Sequence, residues 1–287
     1  QKEAGNKLIR IFRNLIKRIN ERYTIYTSLT AGYDSRLIMS ITKEISKNIN
    51  YYTLYFPEKS KHFIDYKIPK EITQSLGLDH SFIKIKEISS KRRKELLYSY
   101  DSPKWRPFEQ YYKIFPESKK PNILLVGFVS EVAKNYLERL KIKNGKDTTR
   151  AVHFPDNKYL HTYYQNWLNK NQKLIEKFEY ELLDFIHWEQ DITNFAGQNT
   201  HYAHHYVRLF SILNSREVLK IMLSVSPDKR DAKRPIFFQY LMKKMWPELL
   251  KYPFNPTIKE RVILLMKKAG VYPFYKALQL RFYNKKI

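Results

Sequence analysis

The sequence predicts an α/β fold class, in which a parallel twisted sheet with flanking helices is followed by a helical C-terminal half. Short β-branched and aromatic runs alternate with helical periodicities through the first 146 residues, which is typical of strands joined by right-handed crossovers. The alternation ends near Asp147, where longer helical periodicities begin. We therefore expect an α/β domain over 1–146 and a mainly helical portion over 147–287 that completes it.

Composition indicates a globular protein. The chain has 287 residues, of which 43% are hydrophobic, and this is enough to bury a full core. No apolar run approaches the ~20 residues that span a bilayer, and basic residues interrupt the N-terminal apolar positions, so neither a transmembrane segment nor a signal peptide is predicted. A cytoplasmic location is the expectation. The absence of cysteine excludes disulfides, thiolate zinc sites and persulfide chemistry.

The formal net charge of +25 favours contact with polyanions. Nucleic acid, an anionic membrane face and an acidic substrate all fit this charge. The basic residues are dispersed, however, and Lys, Ile, Asn and Tyr are abundant together, as an AT-rich genome would also produce. Nucleic acid is therefore an admissible partner that the sequence does not favour. Because the chain begins with Gln1 and not with Met, we expect a fragment or a processed form with a domain upstream.

Secondary structure in the N-terminal half follows from periodicity and from the positions of glycine and proline. An amphipathic helix over 7–20 carries its apolar residues on one face and is expected to pack on the domain. The remaining elements are a strand at 23–29, a helix at 35–46, a turn at 48–50, a strand at 51–56, a helix at 63–76, a strand at 80–86, a helix at 87–100, a Pro- and aromatic-rich connection at 101–121, a strand at 122–127 and a helix from Ser130.

The C-terminal half contains no alternating pattern, so no strand is predicted there. Four segments with helical periodicity are separated by Gly197, Pro227 and Pro247. These segments are 157–171, 172–195, 203–226 and 235–250.

Two loops are candidates for a ligand site. Residues 30–35 join the first strand to a helix, and residues 127–131 follow a strand that is apolar throughout. In parallel sheets ligands bind beyond the carboxyl ends of the strands, where both loops are expected. A strand that turns sharply into a helix also presents backbone N–H groups and a positive dipole end, which suit a phosphate. The alternative without a ligand is a purely structural strand–turn–helix corner with an N-cap aspartate.

The hexapeptide Thr30-Ala31-Gly32-Tyr33-Asp34-Ser35 resembles the pyrophosphate-binding loop, S-G-G-x-D-S, of the N-type ATP pyrophosphatases. Gly32, Asp34 and Ser35 match that pattern, whereas Thr30 and Ala31 replace a serine and a glycine.

The order of features along the chain resembles the synthetase domain of asparagine synthetases and related amide-forming ligases. The strand containing Leu54 and Tyr55 lies where that family holds adenine with main-chain groups. The stretch from Asp65 to His80 is similar to its D…L-G-x-x-H pattern, and 127–131 (GFVSE) is similar to its G-x-G-A-D-E loop. The segments WEQ and SPDKR resemble members found among bacterial surface-polysaccharide genes.

This resemblance implies an adenine nucleotide alpha hydrolase-like fold, ATP and Mg²⁺ as cofactors, and a carbon–nitrogen ligase that forms an acyl-adenylate with release of pyrophosphate. The implied roles are Mg²⁺ binding by Asp34 and Glu131, charge stabilisation by Arg230 and Lys233, and nucleotide binding by Thr30, Ala31, Gly32, Asp34, Ser35, Leu54, Tyr55 and Gly127. The implied partners are a small-molecule or glycan carboxylate and an amine or ammonia donor, with an upstream or separate glutaminase as one source of ammonia.

Two departures from the family pattern bear on turnover. Ala31, in place of a glycine, leaves less room for a phosphate to approach the backbone of the loop. Ser130 stands where the family has an aspartate that helps to hold Mg²⁺. Two alternatives therefore stay open: a tRNA-modifying ATP pyrophosphatase, favoured by the basic charge, and a non-catalytic nucleotide-binding or scaffold protein. Asp65 is equally consistent with a helix-start acid, and His80 with a structural role. A metal site at His201, His204 and His205 is not predicted, since no further ligand completes the set.

Overall fold

A computed structural model describes residues 1–55, 63–86, 88–100, 108–115, 119–134, 141–152, 154, 156–179 and 181–256. Within these residues five strands form one sheet in the order β3-β2-β1-β4-β5, and every neighbouring pair is parallel. The strands are β1 Thr24–Ser28, β2 Ile49–Tyr55, β3 His80–Lys84, β4 Asn122–Leu125 and β5 Leu209–Phe210. The predicted α/β fold class, with its parallel sheet and helical C-terminal half, is confirmed.

Helices flank this sheet and make up most of the described C-terminal half. The α-helices are α1 Lys2–Arg22, α2 Tyr33–Ile41, α3 Phe63–Leu76, α4 Ser90–Tyr100, α5 Ser130–Ala133, α6 Gly145–Ala151, α7 Lys158–Phe178, α8 Leu182–Ile186, α9 Gln198–Ala203, α10 Arg216–Leu223 and α11 Ile236–Met245. A π-helix spans His187–Gly197, and 3₁₀ turns span Lys43–Asn48, Phe108–Ile114, Pro227–Lys229 and Pro247–Lys251. No helix of the described ranges is long and apolar enough to cross a membrane.

The main core joins the sheet to the C-terminal helices. The apolar face of α1 is buried, with Leu8 and Phe12 fully inaccessible to solvent. The same cluster contains Leu37 of α2 and Leu241 of α11. Gly5 permits close packing here, because a Cβ atom at this position would lie 2.5 Å from the ring of Tyr240. The N-terminal helix therefore packs on the protein, as its periodicity predicts, and the two halves of the chain share one core.

Three sequence-based boundaries are corrected. The segment 203–226 is not one helix, because β5 pairs with β4 before α10 begins; a strand of two residues is too short to show alternation. The predicted turn at 48–50 is wrong, since Ile49 already pairs with Ile25. The predicted break at 171–172 is also absent, since α7 continues to Phe178.

The strand order reverses between β1 and β4. From β1 the chain adds β2 and then β3 on one side, and it returns to place β4 and β5 on the other. Because β1 and β4 are parallel neighbours, the loops that follow them leave the sheet at the same edge. Such a switch point leaves a crevice between the loops, and in open α/β sheets ligands bind there.

Candidate functional site

The loops after β1 and β4 contact each other at the switch point. A Cβ atom at Gly127 would lie 3.2 Å from Cβ of Asp34 and 3.5 Å from its carbonyl carbon. Glycine at this position therefore allows the second loop to lie directly against the first turn of α2. The expectation that both glycine-bearing loops meet at one edge agrees with this geometry.

The loop between β1 and α2 is shaped by its own hydroxyl groups. The Oγ atoms of Thr30 and Ser35 lie 2.9 Å apart, and the Thr30 N–H donates to Ser35 Oγ at 3.0 Å. The Gly32 N–H donates to Thr30 Oγ1 at 3.1 Å, while the Ala31 N–H donates to Asp65 Oδ1 at 2.9 Å. The first three amides of the loop thus hold its conformation, and Asp65 has a loop-shaping contact. α2 begins after Gly32 without a side-chain cap, so its positive dipole end is left for an anion.

Two carboxylates meet a lysine beside this loop. Lys134 Nζ lies 2.8 Å from both carboxylate oxygens of Asp34 and donates a hydrogen bond to Oδ2. Asp34 Oδ1 is buried and has the Lys134 ammonium as its ion-pair partner. Glu131 is half-buried on α5, with the Ser130 hydroxyl 3.5 Å from its Oε2. Burial, and secondly the nearby charge of Asp34, raise the pKa of Glu131, whereas Lys134 and His187 act in the opposite direction.

Lys134 and His187 are site residues that the sequence analysis missed. Lys134 lies three positions after Glu131 and directly after α5, so helical spacing from the predicted acid would have found it. His187 is buried at the start of the π-helix, and its Nδ1 lies 2.7 Å from Asp191 Oδ2. No local signal connects a residue in the helical half with a loop that lies 56 positions earlier in the chain. Insertions that produce π-helical turns are frequent at functional sites.

A strap from the C-terminal half crosses the loop and is tied to it through Arg36. We define the strap as residues 249–255. Arg36 is fully buried, and its guanidinium donates to carbonyl oxygens of both segments. The acceptors are Ala31 O at 2.6 Å, Gly32 O at 3.4 Å, Leu249 O at 3.3 Å, Tyr252 O at 2.9 Å and Pro253 O at 2.6 Å. Burial lowers the pKa of Arg36 to about 9.

The end of the strap lies directly on the loop. Phe254 stacks on Tyr33 with ring centroids 4.1 Å apart, and the guanidinium carbon of Arg36 lies 3.4 Å from the centroid of the Phe254 ring. The Asn255 N–H donates to Ala31 O at 3.1 Å. Asn255 has φ +37°, a conformation that Asn tolerates better than most residues, and a Cβ atom at Gly32 would lie 3.5 Å from its side-chain oxygen. Sequence reasoning did not find this contact either.

The two cations predicted to be catalytic lie in different settings. Arg230 is buried, and its Nη2 is 2.5 Å from Asp184 Oδ2, while its Nε donates to Val225 O at 2.7 Å. Its charge is therefore engaged within the helical half. Lys233 is exposed in a turn in which its backbone N–H donates to Asp231 Oδ1. By contrast, Lys134 places its ammonium directly on Asp34.

The residues predicted to contact adenine lie at the carboxyl end of β2, next to β1. Leu54 is half-buried and Tyr55 is exposed. The Tyr55 carbonyl accepts a hydrogen bond from the Ile85 N–H, so this edge is partly paired with the chain after β3.

His80 is hydrogen-bonded to Thr53 of β2, which belongs to neither of the two loops. Its Nε2 lies 2.9 Å from Thr53 Oγ1, and burial lowers its pKa to about 4, which keeps the ring neutral at physiological pH. Among the described residues no group of three or more His, Cys, Asp or Glu side chains could hold a metal ion. A metal at the two loops would therefore have at most two carboxylate ligands from this part of the chain.

No protein-family model matches the chain, and no curated protein matches it. Solved structures with a distant likeness include two synthetases. An NMN synthetase from Francisella tularensis is 13% identical, with 75% of this chain and 98% of that chain covered and a TM-score of 0.29. An NH3-dependent NAD synthetase from Campylobacter jejuni is 12% identical, with 86% and 95% covered and a TM-score of 0.29. Likeness at this level identifies neither a family nor a function.

Proposed function

We propose that this chain is an ATP-dependent amide-forming ligase of the asparagine synthetase type, which activates a carboxylate as an acyl-adenylate. The observation that carries the proposal is the meeting of Asp34 and Glu131 at the switch point of a parallel sheet, beside the uncapped start of α2. A helix N-terminus suits phosphate, and two carboxylates suit the cation that accompanies it.

The reaction would proceed by two displacements. An oxygen of the substrate carboxylate attacks the α-phosphorus of ATP, and the bond to the bridging oxygen breaks as pyrophosphate leaves with the electron pair. An amine nitrogen then attacks the acyl carbon, AMP leaves, and the amine gives up a proton. Such transfers depend on alignment and charge stabilisation more than on covalent catalysis.

The chain's own residues would supply alignment and charge. Thr30, Ser35 and Asp65 hold the loop in shape, and the start of α2 binds the leaving pyrophosphate. Lys134 is the cation best placed to stabilise the developing negative charge, since its ammonium already lies on Asp34. We assign Arg230 a packing role on the basis of its contact with Asp184. Lys233 remains a second candidate cation.

Magnesium fits this donor set. The carboxylate of Asp34 is paired with the Lys134 ammonium, which a metal ion would have to displace, and Glu131 lies close enough for the charge of Asp34 to raise its pKa. Mg²⁺ is commonly held by one or two carboxylates together with phosphate oxygens and water. Asp34 and Glu131 would hold it, and it would neutralise phosphate charge.

An ATP–pyrophosphate exchange assay over a panel of carboxylic acids tests the proposal. We expect exchange to require one acid of the panel and to fall at least about a hundredfold in Asp34→Ala, since a charge-stabilising contact is worth several kcal/mol in a transition state. Asp79→Ala is the matched control, because Asp79 is exposed and precedes β3 at the opposite edge of the sheet. Exchange that is absent, or equal in both variants, would remove the enzymatic claim.

A nucleotide-binding protein without turnover is the second candidate. It is favoured by Ser130, which is fully buried and supplies no carboxylate, and by the ion pair that already neutralises Asp34. Calorimetry with Mg-ATP separates the two candidates. Binding without exchange supports the second, and absence of binding removes both.

A further inference from the structure

A cavity of about 500 Å³ lies between the end of α7, the π-helix and the start of α10. Its described lining contains no residue of the loops at 30–35 and 127–131. Small-molecule sites commonly have volumes of about 300–1,000 Å³. The cavity is therefore large enough for a small ligand and is distinct from the candidate site at the two loops.

Most of the lining is apolar and aromatic. Leu174 and Phe178 of α7 contribute to it together with Phe185 and Trp188. Leu174 is 44% exposed and Phe178 is 55% exposed, although both are large apolar side chains. Single exposed apolar residues are common, but a group of them around one cavity indicates a surface that another molecule covers. A ligand with an apolar body would remove these side chains from water.

Two cations of α10 border the same cavity. Arg216 and Lys220 are both exposed, and neither forms an ion pair with a described residue. Because they are four positions apart on a helix, they lie on one face and can reach a single anion together. Lys177 adds a third positive charge nearby, since its Nζ lies 5.8 Å from the centroid of the Phe178 ring.

The one carboxylate in the described lining is already engaged by another residue. Glu189 Oε2 accepts a hydrogen bond from the Trp167 indole N–H at 2.6 Å, and Glu189 forms no ion pair with the two cations of α10. The cavity therefore combines apolar walls with an excess of positive charge at one side.

We infer that this cavity binds an amphipathic anion, namely a carboxylic acid with an elongated apolar body. The body packs on Leu174, Phe178 and Trp188, and the carboxylate pairs with Arg216 and Lys220, since charge-assisted hydrogen bonds to a carboxylate are strong. A second copy of this chain is disfavoured as the occupant, because it would bring a further net charge of +25 toward these cations. The inference does not depend on the proposed function.

Calorimetry with decanoate, butyrate and decyltrimethylammonium tests the class of ligand. Butyrate keeps the carboxylate and shortens the apolar body, whereas decyltrimethylammonium keeps the body and reverses the charge. We expect decanoate to bind at least about tenfold more tightly than either, because it alone contacts both the apolar walls and the cations. Absence of decanoate binding, or equal binding of one of the other two probes, overturns the assignment.

Paired substitutions separate this cavity from the bulk charge of the protein. Arg216→Gln/Lys220→Gln should lower decanoate affinity at least about tenfold, the equivalent of one hydrogen bond to a charged group. Lys17→Gln/Arg18→Gln removes the same two kinds of charge from the exposed face of α1 and should leave the affinity unchanged. All four side chains are exposed, so folding should be retained, as thermal unfolding would verify. Equal losses in the two double variants would attribute binding to net charge and overturn the inference.

The apolar half of the site is tested by Leu174→Gln, which keeps a good helix former on α7. This variant should lower decanoate affinity about fivefold through lost apolar contact, and full affinity in it would overturn the inference. Sedimentation of wild type and variant tests the other occupant. A wild-type dimer that Leu174→Gln converts to a monomer would assign the cavity to a second copy of the chain and overturn the small-molecule site.

Discussion

Two arginines of this protein are almost completely buried, yet their charges are handled in opposite ways. Arg230, in the helical half, meets the carboxylate of Asp184 at 2.5 Å. Arg36, at the loop, donates only to main-chain carbonyls among the described residues, and an aromatic ring covers its face. One positive charge is neutralised inside the protein, and the other is not.

The difference distinguishes a cation whose charge is paired inside the protein from one whose charge has no carboxylate partner among the described residues. A buried ion pair has no net charge to offer a ligand, whereas a guanidinium held by carbonyl dipoles keeps its full positive charge beneath the loop between β1 and α2. Isolated buried charge is unfavourable, so an anion bound at the start of α2 would compensate Arg36. We therefore expect the two arginines to respond differently to the same substitution.

The largest effect is expected at Arg230. Arg230→Met leaves Asp184 buried without its cation, which should lower the free energy of unfolding by about 3–5 kcal/mol. The double variant Arg230→Met/Asp184→Leu removes both charges and should recover most of that loss. Urea unfolding of the single and double variants measures it. A double variant as unstable as the single one would show that the pair is not the cause.

Substitution of Arg36 should affect ligand binding as well as stability. Arg36→Met releases the strap and removes the positive charge below the loop, so pyrophosphate affinity should fall about tenfold or more, the equivalent of one hydrogen bond to a charged group. Arg36→Lys keeps the charge but lacks the planar guanidinium, so its affinity for pyrophosphate should lie between those of wild type and Arg36→Met. Calorimetry with pyrophosphate measures both variants. Arg230→Met is the matched control, and its folded fraction should bind like wild type; equal losses in both methionine variants would abolish the distinction.

The contrast also shows what the sequence could and could not predict. Strands β1 to β4 were predictable because alternation and flanking glycines are local signals, and Gly127 was placed near Asp34 because parallel strands share an edge. Arg36 lies in the first turns of α2 and Arg230 in the polar stretch SPDKR, and neither position carries a local signal that names its partners. Their partners lie up to 217 positions away in the chain, at Pro253, and 46 away, at Asp184. Only tertiary packing distinguishes them.

Lys134 provides an intermediate case, because its ion pair with Asp34 is partly open to solvent. The Asp34 side chain is 34% exposed, and a metal ion would compete with the lysine for its oxygens. Lys134→Met should therefore raise Mg²⁺ affinity, by about fivefold if the ion pair is worth ~1 kcal/mol, the upper end for exposed pairs. The stabilisation of Tm by MgCl2 measures the effect. Unchanged Mg²⁺ dependence would place the metal away from Asp34, and Lys43→Met, which removes an exposed cation paired with Glu248, is the control.

His80 shows a third way to bury a basic group, which is to lose its charge. Its pKa is about 4 in the folded protein and 6.5 as the ordinary value, because burial penalises the imidazolium. As pH falls through 6.5 the unfolded chain takes up a proton that the folded protein does not, so stability should decline between pH 6.5 and about 4. His80→Gln retains a group able to bond Thr53 and cannot titrate. The variant should thus lose less stability than wild type between pH 7.5 and 5 in urea unfolding, and parallel losses would mean that other groups control the decline. An arginine keeps its positive charge at physiological pH, which is why Arg36 needs its carbonyl acceptors and Arg230 its carboxylate partner.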